Sequence, residues 1–354
     1  MTRFARFSVL LLCLVLCLHL SGCDSLERGR EKTSIKIGVT LYDQYDTFIG
    51  ELMNYFTEFV REKEQETGVK IVILRESANG SQEAQNSQVE DFIKAGCDVL
   101  CVNLMDRMDA AMIIDRAEAA SIPVIFFNRE LVEEDLQRND MLYYVGANAA
   151  ESGRMQGEVV AELCGLEPGN PPSINPEIFS RVDKNGDGLI QYVMLEGEAD
   201  HQDAVVRTES SIKTLTEAGF QLERLEDEIA NWLRSQAETR MQDWLRTHGN
   251  GIEVVLANND DMALGAIDAL KRAGIPREKW PIVVGIDGTS VGLKSVAAGE
   301  MDATVHNDAR GQAEGLLELS YALSTGTDLP ALTDDKYIRL PYQIVMPENI
   351  DQYL

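Results

Sequence analysis

Side chains that carry oxygen alternate along residues 183–191, which read Asp-Lys-Asn-Gly-Asp-Gly-Leu-Ile-Gln. They occupy positions 1, 3, 5 and 9 of a loop, and a glycine stands at position 6, where the chain must turn sharply. A calcium ion takes about six to eight oxygen ligands, and a loop with this alternation can curl them round one point. The pattern predicts a calcium-binding loop, and a solvated acidic turn is the alternative.

The loop lacks a nearby carboxylate to close such a site. A calcium loop of the EF-hand type has a bidentate glutamate at position 12, and the residue there is Met194. The nearest acids, Glu196 and Glu198, follow an apolar run that has the character of a strand. The loop must therefore bind calcium weakly or take a carboxylate from a distant part of the chain.

The start of the chain has the features of a secretory signal. Two arginines precede the apolar run Phe7–Leu20, which is short for a membrane span, and the run ends in Leu-Ser-Gly-Cys. That ending resembles the bacterial lipobox, in which the cysteine is acylated. We therefore expect a lipoprotein signal peptide over residues 1–22, lipidation of Cys23, a flexible tether over 23–34, and an extracytoplasmic protein anchored to the cell membrane. A plain signal peptide cut near Gly22 is the alternative.

Composition narrows the function classes. The formal net charge of −27 argues against nucleic acid as a partner and against electrostatic attachment to anionic lipid, so membrane contact is expected through the lipid anchor only. Cys97 and Cys101 lie in an apolar stretch and are interpreted as buried thiols. There is no CxxC pair and there are 4 histidines, so the acidic loop is the one metal site that we expect.

Apolar strands alternate with longer helical segments along the chain. Continuous apolar strands separated by helices indicate parallel sheets covered on both faces, and the length of the mature part indicates two doubly wound α/β lobes. The predicted strands are Ile35–Leu41, Lys70–Glu76, Val99–Asn103, Pro123–Asn128, Tyr143–Val145, Ile190–Leu195, Gln221–Leu225, Ile252–Ala257, Pro281–Ile286 and Ala303–Val305. The predicted helices are Phe48–Thr67, Ser81–Ala95, Asp109–Ala120, Ala149–Leu163, Asp203–Ala218, Gln236–Thr247 and Asp260–Ala273.

Polar and aromatic residues follow the ends of these strands, where open α/β sheets bind their ligands. Carboxylates, amides, one arginine and one histidine can satisfy the hydroxyls of a neutral polyol in pairs, and aromatic rings can pack on the C–H faces of a sugar. Taken singly, an Asp after a strand is more often a helix N-cap, and Trp232 is equally compatible with a core position. The set consists of Asp46, Phe48, Asn103, His201, Asp203, Arg207, Trp232, Asn259 and Asp287.

Several stretches together resemble a known family, the galactose- and glucose-binding proteins of bacterial ABC transporters. The resemblance runs from about Ile35 to the C-terminus, with an extra segment around Pro168–Ser180. The stretches that carry it are IGVTLYDQYDTF, VNLMDR, IPVIFFN, YYVGANAAESG, DKNGDGLIQY, EGEADHQDAVVR, IEVVLANNDDMALGAI, VVGIDG and ATVHNDA.

The resemblance implies a type I periplasmic binding protein fold and assigns roles to residues. Phe48 and Trp232 would stack on the two faces of D-galactose or D-glucose, Asp46 would accept from the 4-hydroxyl, and the other strand-end residues would bind the remaining oxygens. Asn307 joins the set beside the sugar and the hinge. The resemblance also supplies the missing calcium ligand, Glu253. The implied structural calcium site consists of Asp183, Asn185, Asp187, the Leu189 carbonyl, Gln191 and Glu253.

The implied architecture is two lobes joined by a three-segment hinge. The expected N-terminal lobe comprises residues 35–121 and 308–338, and the expected C-terminal lobe comprises 122–307 and 342–354. Sugar binding would close the lobes, and an ABC transporter permease would recognise the closed, monomeric complex.

Two other functions remain open at this point. A sensor subunit that presents bound sugar to a chemoreceptor or a sensor kinase would use the same site. A glycoside hydrolase would use Asp203 with Asp287, or Asp46 with Asp203, as its paired carboxylates, but each of these has polar neighbours in the sequence. We expect a binding protein and not an enzyme.

Overall fold

The computed structural model of the chain describes residues 32–169, 171–199, 201–333 and 335–354. The expected signal peptide, the lipidation site Cys23 and most of the expected tether lie outside the described residues. Within the described residues, no helix has both the length and the apolar character needed to cross a membrane.

The first sheet has six parallel strands, which lie side by side in the order Tyr337–Arg339, Leu142–Gly146, Val124–Phe127, Val99–Val102, Ser34–Leu41 and Lys70–Ser77. Its central strands are buried along their whole length, as continuous apolar runs require. The elements of this part are β1 (Ser34–Leu41), α1 (Thr47–Thr67), β2 (Lys70–Ser77), α2 (Gln82–Lys94), β3 (Val99–Val102), α3 (Ala111–Ala119), β4 (Val124–Phe127), α4 (Glu133–Leu136) and β5 (Leu142–Gly146).

The second sheet has four parallel strands, which lie side by side in the order Ile282–Val284, Val254–Ala257, Ile190–Glu196 and Leu222–Ile229. An antiparallel pair of strands, Thr304–His306 and Gln343–Val345, joins it through single bridges, among them Asp287 to His306. The elements are α5 (Ala149–Leu163), β6 (Leu166–Glu167), β7 (Ser173–Ile174), α6 (Pro176–Val182), β8 (Ile190–Glu196), α7 (Gln202–Glu217), β9 (Leu222–Ile229), α8 (Arg234–His248), β10 (Val254–Ala257), α9 (Asp260–Arg272), β11 (Ile282–Val284), α10 (Ser290–Ala297) and β12 (Thr304–His306).

The last elements alternate between the two lobes. They are α11 (Ala309–Thr325), β13 (Tyr337–Arg339) and β14 (Gln343–Val345), and short 3-10 turns lie at Gly249–Gly251, Arg277–Lys279 and Ile350–Gln352. Helix α11 packs in the core of the first sheet, whereas β14 pairs with β12 in the second lobe. The chain therefore crosses after β5, between β12 and α11, and between β13 and β14.

The expected boundary at residues 121 and 122 is wrong. Strand β4 pairs with β3 in the first sheet, with Leu100 opposite Val124, and β5 pairs with β4. The first crossing thus lies near Ala147, and residues 122–146 belong to the N-terminal lobe. The other two crossings lie between residues 306 and 309 and between residues 339 and 343, where the resemblance implied them. Apolar strands such as these fit the interior of either sheet, so hydrophobicity alone does not assign them to a lobe.

Both lobes have a core on each face of their sheet. The extra segment at residues 168–180 forms part of the β6–β7 hairpin and of α6, and Phe179 packs against Phe220 with ring centroids 6.0 Å apart. The segment is therefore packed against the C-terminal lobe. Cys97, Cys101 and Cys164 are buried and free, which confirms the interpretation of the first two as buried thiols.

Candidate functional site

A cavity lies between the lobes, at the carboxyl ends of strands from both sheets. The space between its lining atoms, including the part open to solvent, is about 340 Å³. Eight of the ten predicted sugar-binding residues line it. The full lining is Tyr42, Asp46, Phe48, Asn128 and Arg129 from the N-terminal lobe, and His201, Asp203, Arg207, Trp232, Asn259 and Asp287 from the C-terminal lobe.

Three of the lining residues are also helix N-caps. Asp46 accepts the Ile49 N–H at 2.8 Å to begin α1, and Asn259 accepts the Met262 N–H at 2.9 Å to begin α9. His201 begins α7 through its Nδ1, which accepts the Asp203 N–H at 3.1 Å. The cap and the ligand interpretations are thus compatible, because capping uses one side-chain atom and leaves another for the cavity. In neutral His201 the free Nε2 carries the proton and can donate.

Trp232 is held in place by its backbone and its neighbours. Its φ of 65° is in the left-handed region, which non-glycine residues adopt at a cost. Gly197, just after β8, leaves room for the indole, since a Cβ there would lie 2.1 Å from a ring carbon. The His201 ring meets the indole edge-on with centroids 5.0 Å apart. Two other lining residues, Asn128 at φ 60° and Asp287 at φ 114°, also have positive φ. Backbone strain is therefore concentrated at this cavity.

Arg207 is the buried centre of a polar network under the cavity. Its Nη1 donates to the Asn258 carbonyl at 2.7 Å, and its Nη2 lies 3.3 Å from the Tyr342 hydroxyl and 3.5 Å from Asp287 Oδ1. The Asp203 carboxylate lies 4.0 Å away. The network orients both carboxylates and ties the third hinge segment, which contains Tyr342, to the cavity.

Burial sets the protonation of these groups. It raises the pKa of Asp287 well above its usual value and also raises the pKa of Asp203, although the Arg207 charge opposes both shifts. Burial lowers the pKa of His201 well below its usual value, and nearby arginines shift it in the same direction. The imidazole is therefore neutral near pH 7, with one donor and one acceptor nitrogen.

Two predicted residues lie beside the cavity but do not line it. Asn103 is fully buried; its Nδ2 donates to the Phe127 carbonyl at 3.2 Å and to Asn128 Oδ1 at 3.1 Å, and its Oδ1 accepts the Tyr42 N–H at 3.3 Å. Asn307 accepts from Gln312 at 2.6 Å at the second crossing. Asn103 thus organises the backbone of lining residues, and a direct sugar contact for either asparagine stays a prediction.

Three lining residues were missed in the sequence. Tyr42 directly follows β1, and its hydroxyl donates to Asp46 Oδ2 at 2.5 Å. Asn128 and Arg129 directly follow β4. The rule that ligands bind beyond strand ends would have found all three.

The lobes contact each other across the cleft, so this is a closed arrangement. Thr47 Oγ1 donates to Asp261 Oδ2 at 2.5 Å, and the Ser290 N–H at the start of α10 donates to Glu51 at 2.9 Å. Arg129 Nη2 forms an ion pair with Glu198 at 2.8 Å. Each pair joins one residue of the N-terminal lobe to one of the C-terminal lobe.

The acidic loop lies away from the cavity and is closed by the distant residue Glu253. Its two carboxylate oxygens accept the N–H groups of Lys184 at 2.5 Å and Gln191 at 3.0 Å. Gln191 Oε1 is buried with no hydrogen-bond partner among the described residues, which fits a cation ligand. Gly188, at position 6, has φ 80° as the sharp turn requires.

The predicted calcium donors suit a hard cation, since they are carboxylate, amide and carbonyl oxygens. No group of three His, Cys, Asp or Glu side chains close enough to hold a metal is found in the described part of the chain. The calcium site therefore stays a prediction.

Comparison with known proteins decides the family. The sequence profile of the periplasmic binding protein domain matches residues 37–328. The chain belongs to the periplasmic binding protein family. This periplasmic binding protein is 34% identical over 324 residues to the D-galactose/methyl-galactoside binding periplasmic protein MglB of Haemophilus influenzae, covering 90% of the chain and 92% of the relative. It is 32% identical over 271 residues to a putative rhizopine-binding protein of Rhizobium meliloti, covering 76% and 78%.

The predicted type I fold is confirmed by a solved structure. An ABC transporter solute binding protein from Bacillus halodurans C-125, with bound myo-inositol, matches the periplasmic binding protein described here with a TM-score of 0.74 and 28% identity. The match covers 92% of this chain and 98% of that one. The family consists of binding proteins, which supports the expectation that this chain is not an enzyme.

Proposed function

We propose that this protein binds D-galactose, D-glucose and methyl galactosides in the cavity between its lobes and delivers them to an ABC transporter permease. The name of the Haemophilus influenzae relative supports galactose and methyl galactoside. Other relatives are named for rhizopine and xylitol, so the choice of sugar depends on the cavity itself.

The observation that carries this proposal is a set of unsatisfied buried donors in the cavity lining. Arg129 Nε, Arg207 Nε and Trp232 Nε1 are buried with no hydrogen-bond partner among the described residues. A buried donor without a partner costs about 1–3 kcal/mol, and sugar oxygens would supply acceptors. Phe48 and Trp232 line the same cavity and offer apolar surface for the C–H faces of a pyranose ring.

Closure of the lobes would couple binding to transport. The lining comes from both lobes, so the full set of contacts exists only when the cleft is closed. A sugar therefore shifts the population toward the closed form by its differential affinity for that form. The permease would recognise this form. Attachment through Cys23 would keep the protein at the extracytoplasmic face of the membrane.

The acidic loop is proposed as a structural calcium site. Asp183, Asn185, Asp187, Gln191 and Glu253 would hold the ion through side-chain oxygens, together with the Leu189 carbonyl. The ion would join the loop to the residue that precedes β10 in the same lobe, so it would stabilise the lobe without touching the sugar.

Calorimetry on residues 24–354 tests both proposals. The protein is stripped of metal, loaded with calcium, and titrated with glucose, galactose, methyl β-galactoside, ribose and myo-inositol. We expect one-to-one binding of the hexoses and the galactoside but not of ribose, and a higher melting temperature with calcium. Binding of myo-inositol in place of the hexoses would overturn the choice of sugar. Hexose binding with no effect of calcium would overturn the loop assignment.

A sensor role would use the same site, so sugar binding does not distinguish it from transport. Deletion of the gene, followed by measurement of sugar uptake, distinguishes the two roles. Loss of sugar uptake supports transport, whereas intact uptake with lost sugar response supports sensing.

The raised pKa values of Asp203 and Asp287, caused by burial, mean that carboxyl acidity does not rule out hydrolysis. Incubation with an aryl galactoside tests it, and we expect no release of the aryl group.

A further inference from the structure

Glu223 is an acidic residue to which neither the motif analysis nor the resemblance assigned a role. It is the second residue of β9, the strand at one edge of the second sheet. In the pairing of β9 with β8 it stands opposite Gln191, a predicted calcium ligand. On the other side of β8, the Glu253 N–H donates to the Gln191 carbonyl at 2.9 Å. Glu253, Gln191 and Glu223 therefore form a row across the sheet, at the end where the acidic loop leads into β8.

The side-chain amide of Gln191 is held by two carboxylates. The residue is 3% exposed, and its Nε2 donates to Asp187 Oδ2 at 2.8 Å and to Glu223 Oε2 at 3.1 Å. An amide nitrogen carries two N–H groups, so both donors are used. Ionised carboxylates only accept hydrogen bonds, so these two neighbours fix which end of the amide is nitrogen and which is oxygen.

The oxygen end of the same amide has no partner. Gln191 Oε1 is buried and makes no hydrogen bond among the described residues. Leaving a buried amide oxygen unpaired is costly, and an amide oxygen is a ligand that calcium takes. The two hydrogen bonds of Nε2 thus keep Oε1 free for a cation.

Asp187 and Glu223 contribute to this arrangement in different ways. Asp187 is itself a predicted calcium ligand, so an ion and the amide would share its oxygens. Glu223 is not a predicted ligand, and among the described residues its carboxylate bonds to Gln191 alone. A group that hydrogen-bonds to a metal ligand sets the orientation of that ligand, and its removal typically lowers metal affinity about 10- to 100-fold.

We propose that Glu223 is a positioning residue of the calcium site: it accepts the Nε2–H of Gln191 and so directs Oε1 toward the bound ion. The proposal rests on the calcium site proposed above and adds a residue to it. The charge of Glu223 also attracts a divalent cation. The two effects can be separated, because glutamine at this position keeps an acceptor oxygen without the charge, whereas alanine has neither.

The test compares Glu223→Ala, Glu223→Gln, Gln191→Ala and the double variant E223A/Q191A of the mature protein. Calorimetry gives the affinity for calcium. Terbium(III), bound in place of calcium, gives the number of coordinated waters through its luminescence lifetimes in water and heavy water. Glu228→Ala is the matched control, since Glu228 lies opposite Leu195 on the same strand and pairs with Arg240 at 2.7 Å.

Folding is checked by urea unfolding of each metal-free protein. Glu223 is exposed, so its replacement should leave the core intact.

We expect Gln191→Ala to add about one coordinated water, because water would replace the amide oxygen. Glu223→Ala should weaken calcium affinity about tenfold and add the same one water. Glu223→Gln should weaken affinity only about threefold and leave the number of waters unchanged, because its oxygen still accepts from Gln191. The double variant should gain one water and not two, because both changes remove the same ligand. Glu228→Ala should match the wild type in the number of waters.

The number of coordinated waters is a readout that loss of charge or of stability would not change. An unchanged number in Glu223→Ala would overturn the positioning role, even with weaker affinity. Two added waters in the double variant would make Glu223 a ligand itself, which also overturns that role. Wild-type protein that binds neither calcium nor terbium overturns the proposed calcium site. Wild-type binding with undiminished affinity in Glu223→Ala overturns the role of Glu223 alone.

Discussion

The cavity between the lobes and the acidic loop at residues 183–191 both gather carboxylates, but the pKa of Asp187 in the loop shifts in the opposite direction to those of the acids beside the cavity. Glu253, which closes the loop from outside it, is buried, and its pKa is raised as theirs are. In the exposed loop, the N–H of Leu189 holds the pKa of Asp187 below its usual value. Beside the cavity, burial raises the pKa values of Asp203, Asp260 and Asp287. The loop thus keeps the Asp187 carboxylate charged, as the proposed cation would require, whereas burial favours the neutral form of the carboxyl groups beside the cavity, as the proposed neutral ligand would require.

The two regions also differ in how they are assembled. All but one of the predicted loop ligands are close in sequence, and Glu253 is the exception. The cavity takes its lining from the ends of strands in two sheets. Changes in the loop should therefore affect stability through metal binding, and changes in the cavity should affect sugar affinity. The following predictions test this separation.

The largest effect is expected from Glu253→Gln. Calcium at about 100 times its dissociation constant should stabilise the wild-type protein by about 3 kcal/mol, and the variant should lose most of that gain because one charged ligand is missing. The free energy of unfolding, measured in urea with calcium and after metal removal, gives the difference for each protein. Hexose affinity, measured under conditions in which the protein is folded, should be the same for the wild type and for the variant. A parallel loss of hexose affinity on calcium removal would contradict the separation.

The pKa of Asp260, a buried acid beside the cavity, predicts how stability depends on pH. It is fully buried and accepts from the Thr304 hydroxyl at 2.6 Å and from the N–H and hydroxyl of Thr289 at 2.8 and 3.1 Å. Burial raises its pKa to about 7 from 3.8. Between these two values the folded protein binds more protons at this group than the unfolded chain does. The contribution of Asp260 to stability is therefore largest at low pH and decreases as pH rises through this window.

The variant Asp260→Asn does not titrate at this position, so its stability should fall less with pH than that of the wild type. We expect the difference between the two unfolding free energies to change by about 3 kcal/mol between about pH 4 and pH 7. Urea unfolding across that range measures it. A constant difference at all pH values would mean that Asp260 stays charged, and the cavity would then treat this acid as the loop does.

Gly197→Ala should move the indole of Trp232, since the added Cβ would overlap the ring. We expect a stability loss of about 1–2 kcal/mol and a roughly tenfold weaker hexose affinity, because the aromatic face would no longer be in place. Gly251→Ala is the matched control: no heavy atom lies within 4 Å of a Cβ there. Calorimetry and urea unfolding of both variants provide the comparison. Equal stability and equal hexose affinity in the two variants would show that the position of the Trp232 indole does not determine sugar binding.

Much of this arrangement could be predicted from the chain itself. Apolar strands and capped helices are local patterns, so most elements lie within a few residues of their predicted positions, and so does the turn at Gly188. Which sheet takes a strand depends on long-range pairing, and this is why β4 and β5 were placed in the wrong lobe. Asn128 and Arg129 directly follow β4, so the rule that ligands bind beyond strand ends predicts them at the cavity as it does the other lining residues, whichever sheet holds the strand.

The smallest effect is expected from Thr47→Ala, which removes a direct contact between the lobes without touching the cavity lining. The Thr47 hydroxyl donates to Asp261 at 2.5 Å, and burial raises the pKa of that carboxyl while this hydrogen bond lowers it. A contact made only in the closed form adds to the population of that form, so its loss should weaken binding by a factor of about 2–5.

Thr47→Ala should weaken the affinity for every ligand by the same factor. Because Thr47 biases closure and contacts no sugar, the affinities for glucose, galactose and methyl β-galactoside should fall by one common factor, and their ratios should stay constant. Thr57→Ala, in the same helix, is the control, since among the described residues its hydroxyl bonds only to the Met53 carbonyl of its own helix, at 2.8 Å. Calorimetry with the three sugars measures the ratios. A change in the glucose-to-galactose ratio would mean that the contact also shapes the cavity, because closure alone acts on every ligand equally.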